Sequence, residues 1–376
     1  MNKIFLDNNS TTPVDPTVLD SMIPYFTKKF GNPSSRTHAY GWEAEAAVEI
    51  ARDEISNLIN ADSSEIIFTS GATESNNIVF LDTLKYSNKD ILTSTTEHKA
   101  VLDVCDHINK NSENNIIYIC PDQLGIIDLE KLAELINSNT YMISIMHVNN
   151  EIGVIQPIKE IGKICKDKEI LFHVDAAQSY GKINIDVKQM NIDFLSISAH
   201  KIYGPKGIGA LYINKKNKLS SIMYGGSQEK SLRPGTLPVP LIVGFGVASK
   251  IASNIMKEES KTILNLRNIL FEQISSNINE VHTNGCMKNR IYGNLNLSFP
   301  KLKGQSIINS LPRVALSSGS ACTSSSPKPS HVLHSLGLSK KLSISSVRIG
   351  IGRFNNEEQI LTASSDIIAA IKKKTS

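Results

Sequence analysis

The sequence predicts an α/β protein organised around a largely parallel sheet. Three observations carry this. Short β-branched apolar runs alternate with amphipathic helical patterns along the first two thirds of the chain. With 376 residues the chain is long enough for two lobes with sizeable cores. Finally, Asp175 and Lys201 fall at the ends of two predicted strands, and open α/β sheets bind ligands beyond their strand ends.

The elements follow in order. A helix over 42–60 precedes a strand over 66–69. A strand over 90–94 leads to a helix over 99–109 and a strand over 116–119. A helix over 129–136 precedes a strand over 142–147, and a helix over 158–166 precedes a strand over 170–174. Apolar runs at 194–197 and 209–213 add two strands. Helix begins near Pro240, runs toward 251 and continues through about 274. Short elements follow, including strands at 294–299 and 345–349. The change of pattern predicts a large domain over 14–255. Residues 1–13 and 256–376 form a smaller α+β domain.

Composition excludes several classes. Hydrophobic residues make up 40% and charged residues 20%, ordinary for a globular protein. A net charge of +4 is far from a nucleic-acid signature. The basic runs at 372–374 and 215–218 read as a solvated terminus and a turn. No run approaches 18 apolar residues, so no membrane span is expected. The first fold motif begins within a few residues of Met1, which leaves no room for a secretory or transit peptide. A cytoplasmic location is expected.

The chemistry-bearing residues cluster in three places. Lys201 follows the strand at 194–197 within Ser198-Ala199-His200-Lys201. A buried ammonium is costly, whereas a desolvated lysine loses its proton readily and bonds carbonyls. Taken alone, Lys201 reads better as a side chain snorkelling into solvent; the residues upstream overturn that reading. Asp175 ends the preceding strand, where it could also cap a helix. Together the pair suits a cofactor with an electrophilic carbonyl and a basic ring nitrogen, as in pyridoxal phosphate. At an effective dielectric of 20, a carboxylate about 4 Å from such a nitrogen contributes ~4 kcal/mol. The run Ser70-Gly71-Ala72-Thr73-Glu74 opens a helix after a strand. Its small residues let backbone N–H groups approach a phosphate, although Ser70 or Thr73 would also serve as an ordinary cap.

There are five cysteines and no Cys-x-x-Cys pair. The odd count argues against a disulfide framework. Cys105 and Cys165 lie in helical patterns and read as core; Cys120 ends a strand and reads the same way. Cys286, in a polar turn, is undecided. Cys322 sits in a Ser/Gly-rich stretch followed by Pro327 and Pro329. That composition predicts an exposed, mobile loop, where a thiol is either incidental or reactive.

With these motifs in order, the chain resembles the cysteine desulfurases of the IscS/NifS type, within pyridoxal-phosphate fold type I. The resemblance is carried by Leu6-Asp7-Asn8-Asn9-Ser10, Gly31-Asn32-Pro33, Ser70-Gly71-Ala72-Thr73-Glu74, Thr96-Glu97-His98-Lys99 and His147-Val148-Asn149-Asn150-Glu151. It continues through the Asp175 and Lys201 segments, Arg233-Pro234-Gly235-Thr236, Gly319-Ser320-Ala321-Cys322 and Val347-Arg348.

The resemblance implies a seven-stranded, mostly parallel sheet and removal of sulfur from L-cysteine, giving L-alanine and a Cys322 persulfide. It implies pyridoxal 5'-phosphate held covalently by Lys201, with Asp175 at the ring nitrogen. Gln178 and Asn149 lie near the ring, and Ala72, Thr73, Ser198 and His200 contact the phosphate. Thr236 is contributed across a homodimer interface. His98 stacks on the ring and moves protons; Arg348, with Asn149, grips the substrate carboxylate. Sulfur would pass to an iron–sulfur scaffold or another acceptor, with tRNA thiolation a second route. No resident metal is implied, though Cys322 would ligate an iron–sulfur cluster transiently during transfer.

Longer bacterial members continue several dozen residues beyond the region matching Gly352-Arg353-Phe354. The expectation here is unimpaired catalysis with altered scaffold docking. The rival readings are a selenocysteine lyase, another enzyme of the same cofactor fold, and a non-catalytic sulfur carrier.

Overall fold

The computed structural model describes residues 3–318 and 329–375. The N-terminal strand β1 (Ile4–Phe5) is followed by helices α1 (Pro16–Met22), α2 (Pro24–Thr27) and α3 (Ala39–Asn57). Then come β2 (Ile66–Thr69), α4 (Ala72–Asp82), β3 (Asp90–Ser94), α5 (Lys99–Asn111) and β4 (Asn115–Ile119). The alternation continues through α6 (Leu129–Leu135), β5 (Thr140–Ser144), α7 (Ile158–Asp167), β6 (Leu171–Asp175), β7 (Phe194–Ser198) and β8 (Gly209–Ile213). The long helix α8 (Val239–Asn277) leads to β9 (His282–Thr283), β10 (Asn294–Ser298), α9 (Gly304–Ile308) and β11 (Val314–Ala315). Helices α10 (His331–Ser335) and α11 (Lys340–Ile344), strand β12 (Ser346–Gly350) and helix α12 (Glu357–Thr375) complete the chain.

The main sheet has seven strands in the order β2-β8-β7-β6-β5-β3-β4. Only β8 runs antiparallel to its neighbours. Strands β2, β3 and β7 are buried at every position, as expected when helices cover both faces of a parallel sheet. Parallel pairing of β6 with β7 sets His173 opposite Phe194 and Asp175 opposite Ser196. The ends of these two strands are therefore adjacent, and both carry functional candidates.

Apolar packing forms two main cores. One joins α1, α3, the sheet and the first third of α8, through Phe245 and Ala248. The other joins β1, β10, β12, α12 and the later part of α8, from Ile263 onward. Between Ala252 and Ile263 the helix contributes no buried apolar side chain. α8 is long and apolar enough to cross a membrane by length and composition. Its apolar face, however, is spent on these two cores.

Residues 6–12 run between the cores. β1 pairs in parallel with β11. Leu6 O then accepts from Gly350 N at 2.7 Å, and Asn8 N donates to Gly350 O at 3.1 Å. Thr12 N donates to His200 O at 3.1 Å. The N-terminal segment thus straps β12 to the end of β7.

Several sequence expectations shift. β5 ends at Ser144 rather than 147, although Ile145 and His147 still donate to His173 O and Asp175 O. The helix predicted over 42–60 begins earlier, because His38 Nδ1 accepts from Gly41 N and caps it. Cys105 and Cys165 are buried, but Cys120 is exposed. It lies one residue past the last inward position of β4, and its Sγ donates to Ser335 O.

Candidate active site

A cavity of about 680 Å³ opens at the C-terminal ends of β2, β6 and β7. Ala72, Thr73, His98, Asp175, Gln178, Ser198, His200, Lys201 and Arg348 all line it. These nine candidates come from five separate stretches of sequence.

Lys201 sits in the turn that follows β7. Its Nζ donates to Asn9 O at 2.8 Å and Ser10 O at 2.6 Å. Burial, reinforced by Lys182 and Arg348, pulls its pKa down to about 7. Asp7 and Asp175 only partly oppose this. Near neutral pH a large share of Lys201 is therefore a free amine, the form that attacks carbonyls and accepts protons.

Asp175 is buried at the end of β6. Its Oδ1 accepts from Ala177 N at 2.9 Å and its Oδ2 from Asn76 Nδ2 at 2.8 Å. The turn-capping role open to an aspartate here is real, but it occupies only one carboxylate oxygen. Gln178 is likewise buried and donates to Asn9 O at 2.7 Å.

The start of α4 is open. Its N-cap is Gly71, at φ +155°, and no side chain caps it. Neither Ser70 nor Thr73 fills that role; instead the Ser70 N–H donates to Glu74 Oε2 at 2.7 Å. Glu74 Oε1 accepts from Arg233 Nε at 3.0 Å. Burial raises the Glu74 pKa, but the Ser70 and Arg233 contacts outweigh it and the carboxyl stays low. Glycine is also required across the way. A Cβ on Gly209 would lie 2.5 Å from Ile197 O and 2.6 Å from Gly71 Cα. The uncapped N–H groups of α4 thus face a cradle that side chains would close, the geometry that binds phosphate.

His98 caps α5, its Nδ1 accepting from Ala100 N at 3.1 Å. The proton of the neutral ring therefore sits on Nε2. Burial lowers its pKa, Asp175 opposes, and Lys201 and His331 add to the lowering. His200 pairs with Thr11 Oγ1 at 3.0 Å, and burial with nearby lysines brings it down to about 4. It is a neutral donor or acceptor at physiological pH.

Arg348 is buried on β12, not a surface ion pair. Its NH2 donates to Asp7 Oδ1 at 2.8 Å and its NH1 to Asn150 O at 3.1 Å. Its Nε is buried and has no partner among the described residues, while the residue as a whole lines the cavity.

Three candidates lie elsewhere. Asn149 is buried and does not line the cavity; its side chain is consumed by Thr96 O, Met146 Sδ and the N–H groups of Glu151 and Ile152. Its neighbour Asn150 lines the wall instead. Thr236 is exposed and outside the lining. Cys322 lies outside the described residues. Conversely, Asp7, Asn9, Ser10 and Thr11 line the cavity although residue-level reasoning assigned them no role. The signal was an unbroken polar run after three apolar positions.

The aminotransferase class-V family model matches residues 4–362. The chain belongs to the aminotransferase class-V family. The chain is 52% identical over 376 residues to cysteine desulfurase IscS of Ehrlichia chaffeensis, covering 98% of this chain and 91% of the relative. A solved NifS-like protein superposes with a TM-score of 0.92 at 34% identity, covering 99% of this chain and all of that one. The solved structure titled SspA in complex with cysteine has a TM-score of 0.83 at 37% identity, over 94% of this chain and 100% of that one. The fold is thus pyridoxal-phosphate fold type I, and the family depends on pyridoxal phosphate.

The cavity fits that group. It offers an amine of depressed pKa, a buried carboxylate, and an open helix N-terminus over a glycine cradle. Among the described residues no cluster of His, Cys, Asp or Glu could hold a metal ion.

Proposed function

We propose that the protein is a cysteine desulfurase that removes sulfur from L-cysteine, releasing L-alanine and leaving a persulfide on Cys322. The observation that carries this is the convergence of Lys201, Asp175 and the uncapped start of α4 on one cavity. The relative named for this activity shares 52% identity over nearly the whole chain.

Pyridoxal phosphate, when bound, supplies an electron sink for the substrate carbons. The chain's residues do the rest. Lys201 would hold the cofactor through its aldehyde and, as a free amine, would carry the Cα proton. Its pKa of about 7 suits both tasks. Asp175, fixed by Asn76 and Ala177, would be the carboxylate partner of the ring nitrogen. Ala72 and Thr73, with Ser198 and His200, would hold the phosphate, and Gln178 would serve the ring. His98 gives or takes a proton through Nε2. Arg348, a buried cation in the cavity wall, would receive the substrate carboxylate. Asn149 acts at one remove, by shaping the turn that presents Asn150.

The Cys322 thiolate attacks the substrate sulfur. The Cβ–S bond would break with its electron pair left on carbon, and protons would return to Cβ and, from Lys201, to Cα to complete alanine. The balance is L-cysteine plus a thiol giving L-alanine plus a persulfide.

We assign a homodimer. Phe26, Phe30, Trp42 and Tyr224 are exposed aromatic side chains, Tyr224 at 90%, and such residues suit a subunit interface. Thr236, exposed in one chain, would complete the partner's phosphate site. An iron–sulfur scaffold is the assigned sulfur acceptor, and the cytoplasm the assigned location. The division near residue 255 is supported by the gap in buried apolar residues along α8 between the two cores. Incubating the cofactor-loaded enzyme with L-cysteine and a thiol reductant tests the function. Alanine with matching sulfide and no pyruvate is expected; pyruvate, or no alanine, overturns it.

A further inference from the structure

Helix α10 begins just beyond residues 319–328, and its first turn touches two walls of the cavity. Ser330, its N-cap, accepts from Leu333 N at 3.2 Å and donates to Glu151 Oε2 at 2.8 Å. Glu151 follows Asn150, which lines the cavity. His331 Nε2 lies 2.9 Å from Glu97 O. A carbonyl only accepts, so Nε2 is the protonated nitrogen of that ring. That carbonyl belongs to the peptide bond leading into His98.

The surroundings make α10 a firm support. Val332, Leu333 and Leu336 pack with Ile152 and Val154, just downstream of Glu151. On its other side the Glu97–His98 turn is held by Met146 N donating to Glu97 Oε1 at 2.8 Å. The His98 ring is held by Ala100 N. One backbone carbonyl at this turn therefore depends on a side chain from a remote helix. His331 is itself exposed, so little packing would be lost by changing it.

We infer that His331 is a positioning residue: its Nε2–H holds the Glu97 carbonyl and thereby fixes His98 over the cavity, tying that turn to the chain just downstream of Cys322. The inference rests on the role proposed for His98. His331 touches neither substrate nor cofactor and acts through the backbone alone.

The test compares His331→Gln with His331→Asn in the cofactor-loaded enzyme. The glutamine amide nitrogen reaches the place of Nε2; the asparagine amide, one methylene shorter, does not. His331→Asn should lower kcat for alanine formation from L-cysteine about three- to tenfold, the range of one lost hydrogen bond. KM for L-cysteine, Tm and cofactor absorbance should stay unchanged. His331→Gln should remain within about twofold of wild type. Exchange of the L-alanine Cα hydrogen in heavy water should fall in His331→Asn by the same factor, because the displaced His98 would no longer stack on the ring against which Lys201 moves that proton. Wild-type kcat in His331→Asn, equal losses in both variants, or unchanged exchange with reduced alanine formation would each overturn the inference. Exchange needs no sulfur chemistry. A wild-type enzyme that exchanged alanine but made none from cysteine would sink the desulfurase reading and leave this one standing.

Discussion

Glu151 is a carboxyl group buried at considerable cost. It is 2% exposed, and its Oε1 has no partner among the described residues. Burial raises its pKa from 4.5 to about 7, with Ser330 and Arg348 pulling it part of the way back. The folded protein therefore binds this proton more tightly than the unfolded chain does. As pH rises from 4.5 toward 7, the unfolded chain ionises while the folded one resists, so stability falls and then levels off. At 1.36 kcal/mol per pKa unit, the penalty is ~1.5 kcal/mol at pH 5.5 and ~3 kcal/mol above pH 7. Glu151→Gln is nearly isosteric, its amide oxygen can still accept from Ser330, and it cannot ionise. Urea unfolding of both proteins at pH 5.5 and 8.5 should show the variant gaining on wild type by ~2 kcal/mol across that interval. A difference that stays flat, or shrinks as pH rises, would refute the buried-carboxyl reasoning.

Further consequences are open to measurement. Gly209→Ala should prevent phosphate binding by wedging β8 from Ile197 and Gly71, with loss of cofactor absorbance and a stability cost of ~1–3 kcal/mol; full cofactor occupancy would contradict the cradle. In the cofactor-free protein, borohydride trapping of an aldehyde on Lys201 should rise with a midpoint near the pKa of about 7; a midpoint near that of ordinary lysine would deny its desolvation. Arg348→Lys keeps the charge but loses the fork shared by Asp7 and Asn150, so KM for L-cysteine should rise about tenfold or more; an unchanged KM would remove Arg348 from substrate binding.

Much of the sheet was legible because its strands are short, apolar and mostly buried, and pattern alone marks them. The strand ends followed, and with them Asp175 and Lys201. What stayed hidden was decided by contacts between distant segments. Nothing local distinguishes Asn149 from Asn150; the turn that spends one side chain on Glu151 and Ile152 leaves the other to the cavity. The expected cap on α4 is absent because the helix starts one residue past Ser70, with Gly71 at the N-cap position. Cys120 looked like core because it closes an apolar run, yet it falls beyond the last inward position. The strap of residues 7–11 could be seen as polar but not placed over Lys201, since only its pairing with β12 sets its course.

The account turns on sulfur leaving L-cysteine for one particular thiol of a lysine-anchored enzyme. Peptide mass mapping after brief exposure of the cofactor-loaded protein to L-cysteine, without reductant, tests this most directly. One additional sulfur atom should appear on the peptide containing Cys322 and be missing from a Lys201→Ala control. Sulfur on Cys120 or Cys286 instead, or an equal load in the control, would contradict it.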